Sequence, residues 1–135
     1  MSLQGVLLHA SSKTQAVVAR SSGEAELYGL NSAVSEGLGV QALLEDLDLP
    51  GIAVLARTDS TAATGTANRQ GLGKQRHIQV QFLWIQEAIR TRTVVLRHIA
   101  GAQNPADLLT KSLPGTRHLE LSQMIGLTVP DSSSF

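Results

Sequence analysis

Hydrophobic positions along this chain change their period several times, and each change predicts an element. Val6, Leu7 and Leu8 form a short apolar run. Ala16-Val17-Val18-Ala19 form a second after the polar break Ser11-Ser12-Lys13-Thr14. Short runs with polar interruptions predict strand, as a hairpin or as one long bent strand. Beyond them Leu27, Leu30, Val34, Leu38, Leu44 and Leu47 recur near helical spacing, which predicts a helix from about Glu24 to Asp46. Ser21 and Glu24 fit a capping box at its start, where a hydroxyl and a carboxylate satisfy amides that the first turn leaves without partners. Gly29, Gly37 and Gly39 fall inside this helix. Each lowers its propensity by roughly 1 kcal/mol relative to Ala, so close packing is the expected reason for them.

After Pro50-Gly51, the run Ile52-Ala53-Val54-Leu55-Ala56 is continuously apolar, the pattern of a buried parallel strand. It ends at Asp59, and Ser60-Thr61-Ala62-Ala63 starts a helix of small residues. Gly71-Leu72-Gly73-Lys74-Gln75-Arg76 reads as a basic loop. Ile78, Phe82, Ile85 and Ile89 mark one face of an amphipathic helix, with Trp84 and Glu87 elsewhere on it. Thr93-Val94-Val95-Leu96 is another strand. A loop over Gly101 to Asn104 leads to Pro105, which suits the first turn of a helix. That helix carries Asp107, Leu108 and Leu109 and is expected to stop near Pro114-Gly115. A last short helix, around Leu119 to Ile125, precedes a polar tail. The alternation predicts an α/β fold with parallel strands, and in such sheets functional groups gather at strand ends.

Composition narrows the function classes. The 135 residues amount to one domain, and a hydrophobic fraction of 42% supports a modest core. The 11 basic and 11 acidic side chains balance. That excludes a strongly basic nucleic-acid coat and an acidic disordered tail, and leaves room for a nucleic-acid enzyme with a local basic rim. Cysteine is absent, which excludes a disulfide framework and a thiolate zinc site. Aromatics make up 3%, too few for base stacking as the main binding mode. No apolar run reaches the ~18 residues of a membrane span, and the N-terminus lacks the basic-then-apolar pattern of a signal peptide. The expectation is an intracellular protein without membrane contact.

Carboxylates are sparse, and three stand at predicted junctions. Glu26 lies in the first turn of the long helix, Asp59 just after a strand, and Asp107 after the loop that follows the last strand. Converging carboxylates suit a hard divalent cation. Paired Mg²⁺ ions supply an activated water and a stabilised leaving oxygen for phosphodiester hydrolysis. Each residue also has an ordinary reading. Glu26 is favourable in a first turn through the helix dipole, and Asp59 is a candidate N-cap for the Ser60 helix. Lys74 and Arg76 are either phosphate contacts, which position a nucleic acid without reading its sequence, or a solvated loop. Trp84 is expected to pack, and Lys111 to extend its stem along the end of its helix.

The strings SSGEAELYGL, RTDSTAA, GKQRHIQVQFLWIQE and GAQNPADLLTKSLP occur in that order. Together they resemble the ribonuclease H domain at the end of copia-type retrotransposon polyproteins, from about His9 to Leu127. The resemblance implies a ribonuclease H-like layered α/β fold over residues 1–127, with residues 128–135 as tail. It implies Glu26, Asp59 and Asp107 as catalytic metal ligands, with Glu26 and Asp59 nearest the scissile phosphate and Asp107 on the second of two Mg²⁺ ions. It also implies an RNA–DNA hybrid as substrate and an ancestral fusion to reverse transcriptase. Glu24 is the capping residue in this reading. The chain departs from the family in two places. No acidic residue precedes Ser21 to match the first catalytic aspartate, and Gly101-Ala102-Gln103 stands where a histidine would assist product release. The expectation is therefore a fold lacking its first, central strand, with about three strands, impaired cleavage, and an exposed strand edge open to self-association. A catalytically dead remnant with weak or no nucleic-acid binding stays open as the alternative. So does an integrase-like core, against which the TK-x-LP ending argues.

Overall fold

The computed structural model describes residues 1–3, 6–13, 15, 18–49, 51–69 and 82–127. In chain order they form β1 (Ser2–Leu3), β2 (Val6–Leu7), α1 (Ser22–Asp46), β3 (Val54–Thr58), α2 (Thr61–Ala67), α3 (Leu83–Arg90), β4 (Val94–His98), a 3-10 turn (Gly101–Gln103), α4 (Asp107–Thr110) and α5 (Gly115–Met124). The fold is mixed α/β. It divides into two units, Gln15–Ile99 and Met1–Thr14 with Ala100–Phe135. The expected single sheet of about three strands is replaced, among the described residues, by two separate two-stranded sheets. No helix among them is long and apolar enough to cross a membrane.

The larger unit starts with the capping box. The Ser21 hydroxyl accepts from the Glu24 amide at 3.1 Å. The Glu24 carboxylate reaches back to the Arg20 amide at 2.7 Å, one residue further than the usual box. Glu24 is thereby satisfied at 8% exposure. At the far end, Leu49 N–H bonds the Leu44 carbonyl and Asp48 N–H the Glu45 carbonyl. This is a Schellman closure with Asp48 in the left-handed position at φ 56°.

Strands β3 and β4 pair in parallel, from Val54↔Val94 to Thr58↔His98, and α2 and α3 lie in the connection between them. Leu27, Leu30 and Val34 of α1, Ala63 and Ala67 of α2, Phe82, Ile85 of α3 and Val94 of β4 form one buried cluster. Val54, Ala56 and Leu96 pack against it. Tyr28 meets Phe82 edge to face at 4.9 Å between ring centres. Trp84 packs against the same cluster, as expected. The continuous apolar run predicted a strand buried on both faces. Instead the helices share one face, and Leu55 and Val95 on the other remain 43% and 40% exposed. On the surface of α3, a hydrogen bond from Arg90 holds the Glu87 carboxyl below its ordinary value.

Two glycines account for the close packing of α1. A Cβ on Gly37 would lie 2.9 Å from Val54 Cγ1, and one on Gly23 would lie 2.7 Å from Ala62 Cβ. Gly29 and Gly39 have nothing within 4 Å of that position, so the packing expected of them does not exist. Gly29→Ala and Gly39→Ala are each expected to stabilise the protein by about 0.5–1 kcal/mol, since only helix propensity and unfolded-chain entropy change. Urea titration reads the gain. A loss at either position would mean that another group meets the new methyl.

In the other unit, β1 and β2 form a short antiparallel pair, Ser2↔Leu7 and Leu3↔Val6. Leu8 follows the strand rather than joining it, its amide turning to the Met1 carbonyl at 3.0 Å. The second predicted strand is also corrected where it is described. Val18, in the larger unit, is 92% exposed, and neither it nor Ala19 belongs to a strand; Ala16 and Val17 lie outside the described residues, as do Ile78 and residues 128–135. Helix α4 ends at Thr110, because Lys111 is already extended at φ −132° and ψ 146°. Pro114 is the N-cap of α5, so Pro114-Gly115 opens a helix instead of closing one. Arg117 of α5 donates to the Ala102 carbonyl of the 3-10 turn and, within the helix, to Glu120 at 2.8 Å.

Candidate functional site

Two of the three sequence-predicted carboxylates lie in the larger unit, and helix geometry relates them. Gly37 of α1 sits against Val54 at the start of β3. Gly23, near the first residue of α1, sits against Ala62, which follows the end of β3. Helix and strand therefore run in opposite directions. Glu26 precedes Gly37 by eleven residues, which is about 16.5 Å of helix. Asp59 follows Val54 by five residues, which is about 16.5 Å of extended chain. Starting from one shared contact, these rises bring the two residues' backbones to about the same level, where the N-terminus of α1 meets the C-terminal end of β3. Glu26 also lies only 20° from Gly37 around the helix at about 100° per residue, so it flanks the strand side of α1. Glu26 is exposed and Asp59 half-buried.

Asp59 is not the N-cap of α2. Ser60 is, its hydroxyl accepting from the Ala63 amide at 3.1 Å. This leaves the Asp59 side chain outside the capping hydrogen bond. Sequence reasoning missed a neighbour, His98. The last strand was expected to end at Leu96 but runs through His98. There the ring Nε2 lies 3.1 Å from the Asp59 carbonyl oxygen. A carbonyl only accepts, so Nε2 carries the proton and Nδ1 is left as the imidazole's other functional atom. A histidine at the end of a strand parallel to β3 was the available signal.

Asp107 belongs to the other unit. It opens α4, is half-buried, and has Oδ1 2.8 Å from Lys111 Nζ. Lys111 thus bridges back one turn rather than merely covering the helix end. Lys74 and Arg76 lie outside the described residues. A cleft of about 250 Å³ between α1 and α2 is lined by Ser21, Ser22, Gly23, Glu24, Leu27, Ala62 and Thr66, and includes neither Glu26 nor Asp59. Among the described residues, no group of three or more His, Cys, Asp or Glu side chains is placed to hold a metal ion.

The sequence motifs around these residues have a counterpart among known proteins. The retrovirus-related Pol polyprotein from transposon TNT 1-94 of Nicotiana tabacum is 28% identical over 117 residues. This chain is similar to a segment of a retrotransposon Pol polyprotein. The match covers 86% of the chain and 9% of that polyprotein, so the chain spans a small part of its relative's length. No family model matches, and no solved structure does. The similarity extends over most of the chain, whereas the shared level of two carboxylates concerns the Pol-like sequence of the larger unit alone.

Proposed function

We propose that this chain is a retroelement-derived ribonuclease H-like domain. Its ancestral activity is hydrolysis of the RNA strand of an RNA–DNA hybrid, impaired in the chain as it stands. The reading is carried by the antiparallel run of α1 and β3 from the Gly37–Val54 contact, from which ideal rises put Glu26 and Asp59, of the motifs SSGEAE and RTDS, at about one level. The Pol polyprotein similarity supports it. Asp107 enters on its motif alone, as do Lys74 and Arg76 as phosphate contacts and an ancestral fusion to reverse transcriptase.

A two-ion centre does not fit the described residues, because it needs about four carboxylates and they provide no group of three donors. One hydrated Mg²⁺, which keeps several waters and takes one or two carboxylates, is the most that Glu26 and Asp59 support. Bound there, it would supply charge neutralisation beside a phosphodiester. The protein's own part is to place two negative side chains at one strand end, with His98 fixed through the Asp59 carbonyl. A hybrid would be held through its backbone and 2′-hydroxyls rather than its sequence. The same donor count favours the second reading, a remnant that binds nucleic acid weakly without cutting it.

Calorimetry with Mg²⁺ and a cleavage assay on a hybrid labelled in its RNA strand separate the two. The expected result is weak Mg²⁺ uptake and slow Mg²⁺-dependent cleavage, both lost in Glu26→Gln and in Asp59→Asn. Cleavage that persists in Asp59→Asn would remove Asp59 from the site, and no uptake at all would favour the remnant. Among the described residues β3 pairs only with β4, so its other edge is the proposed contact with a second copy. Sedimentation of the same samples should show concentration-dependent association, and a monomer at high concentration removes that contact.

A further inference from the structure

Arg57 and Arg97 occupy one cross-strand position of the parallel pair β3–β4. Both are exposed, while Ala56 and Thr58 on one side and Leu96 on the other turn toward the helices. Two guanidinium groups thus leave the open sheet face side by side, from backbones about 4.8 Å apart. Like charges directly opposite each other in a sheet are destabilising. Among the described residues, neither arginine's side chain has an ion pair or hydrogen bond to offset this. The pair also borders the carboxylate end. Arg57 is two residues, about 6.6 Å of strand, before Asp59. Arg97 directly precedes His98, whose ring touches the Asp59 backbone.

We propose that Arg57 and Arg97 together clamp a backbone phosphate of a nucleic acid strand lying across the C-terminal ends of β3 and β4. The inference rests on the nucleic-acid reading above and deepens it by naming a contact that does not involve the carboxylates. A phosphodiester offers two oxygens that match the planar guanidinium fork. Its negative charge offsets the repulsion that the bare pair carries. The contact positions the strand and reads no bases. The apolar neighbours Leu55 and Val95 on the same face would also suit a protein segment.

The experiment is fluorescence anisotropy of a labelled RNA–DNA hybrid in EDTA, with no divalent cation present, for the wild type, Arg57→Gln/Arg97→Gln and Arg57→Lys/Arg97→Lys. The glutamine pair is expected to lower the slope of log affinity against log salt by about 0.9, the contribution of one neutralised phosphate. Between about 50 and about 200 mM salt, the wild type then loses about 3.5-fold more affinity than that variant. The lysine pair should keep the wild-type slope. Because both side chains are exposed, the glutamine pair should melt at the same temperature as the wild type or higher. A glutamine pair with the wild-type slope removes both arginines from the nucleic-acid contact and overturns the clamp. A wild type that does not bind the hybrid overturns it too. Absent cleavage with the arginine-dependent slope intact overturns only the nuclease reading.

Discussion

Replacing Phe82 with alanine is expected to lower stability by about 3–5 kcal/mol. The ring is 1% exposed and is the largest of the fully buried side chains. It immediately precedes α3 and meets Tyr28 of α1 edge to face, so it joins two helices distant in sequence. Truncation removes the transfer free energy of the ring and the aromatic contact, and leaves a void between α1 and α3. The neighbours that could close it, Leu27 and Ile85, are already fully buried. Natural domains are stable by only about 5–15 kcal/mol, so a loss of this size removes a large share of the total. Urea titration followed by far-UV circular dichroism measures it. Phe82→Leu keeps most of the volume and should lose clearly less. A Phe82→Ala protein within about 1 kcal/mol of the wild type would mean that this ring does not hold α1 to α3.

The contrast between Phe82 and other positions shows what could be read from the chain alone. Phe82 and Ile85 were legible as core because helical spacing is a local property. The Ser21–Glu24 box was legible for the same reason, since its partners lie within four residues. Leu55 was not legible as exposed. A continuous apolar run looks the same whether a second layer covers the strand or not, and only the position of α1, α2 and α3 on one face decides it. Pro114 was ambiguous in principle, because proline both follows helix ends and opens helix starts; the extended backbone at Lys111 resolves it. Among the candidate site residues, Glu26 and Asp59 were visible through their motifs, and their places at element junctions already led to the expectation that they converge. The level estimated for them rests on α1 running against β3 with Gly37 on Val54. His98 was missed because the end of a strand is the least certain part of a pattern-based reading.

That dependence on Gly37 leads to the second large effect. In Gly37→Ala the new Cβ lies 2.9 Å from Val54 Cγ1, closer than the two atoms can pack. The helix gains roughly 1 kcal/mol of propensity, but overpacking costs about 1–3 kcal/mol, so the net change should be a loss of up to about 2 kcal/mol. In Gly37→Leu the branched side chain has no room against the strand, and the loss should reach about 3 kcal/mol or more. The cause can be isolated with Val54→Ala. That change removes the Cγ1 and Cγ2 atoms and leaves only the Cβ, 3.9 Å away, an ordinary contact. The double variant Gly37→Ala/Val54→Ala should then be more stable than the sum of the singles implies, by about 1 kcal/mol. Gly39→Ala, two residues along with open space around it, serves as the helix-propensity reference. The Gly37–Val54 contact is also the origin from which Glu26 and Asp59 reach one level, so any weak Mg²⁺ uptake should fall in Gly37→Leu and survive in Gly39→Ala. Strictly additive energies for Gly37 and Val54 would mean that α1 does not rest on β3 there. The shared level of the two carboxylates would then lose its geometric basis.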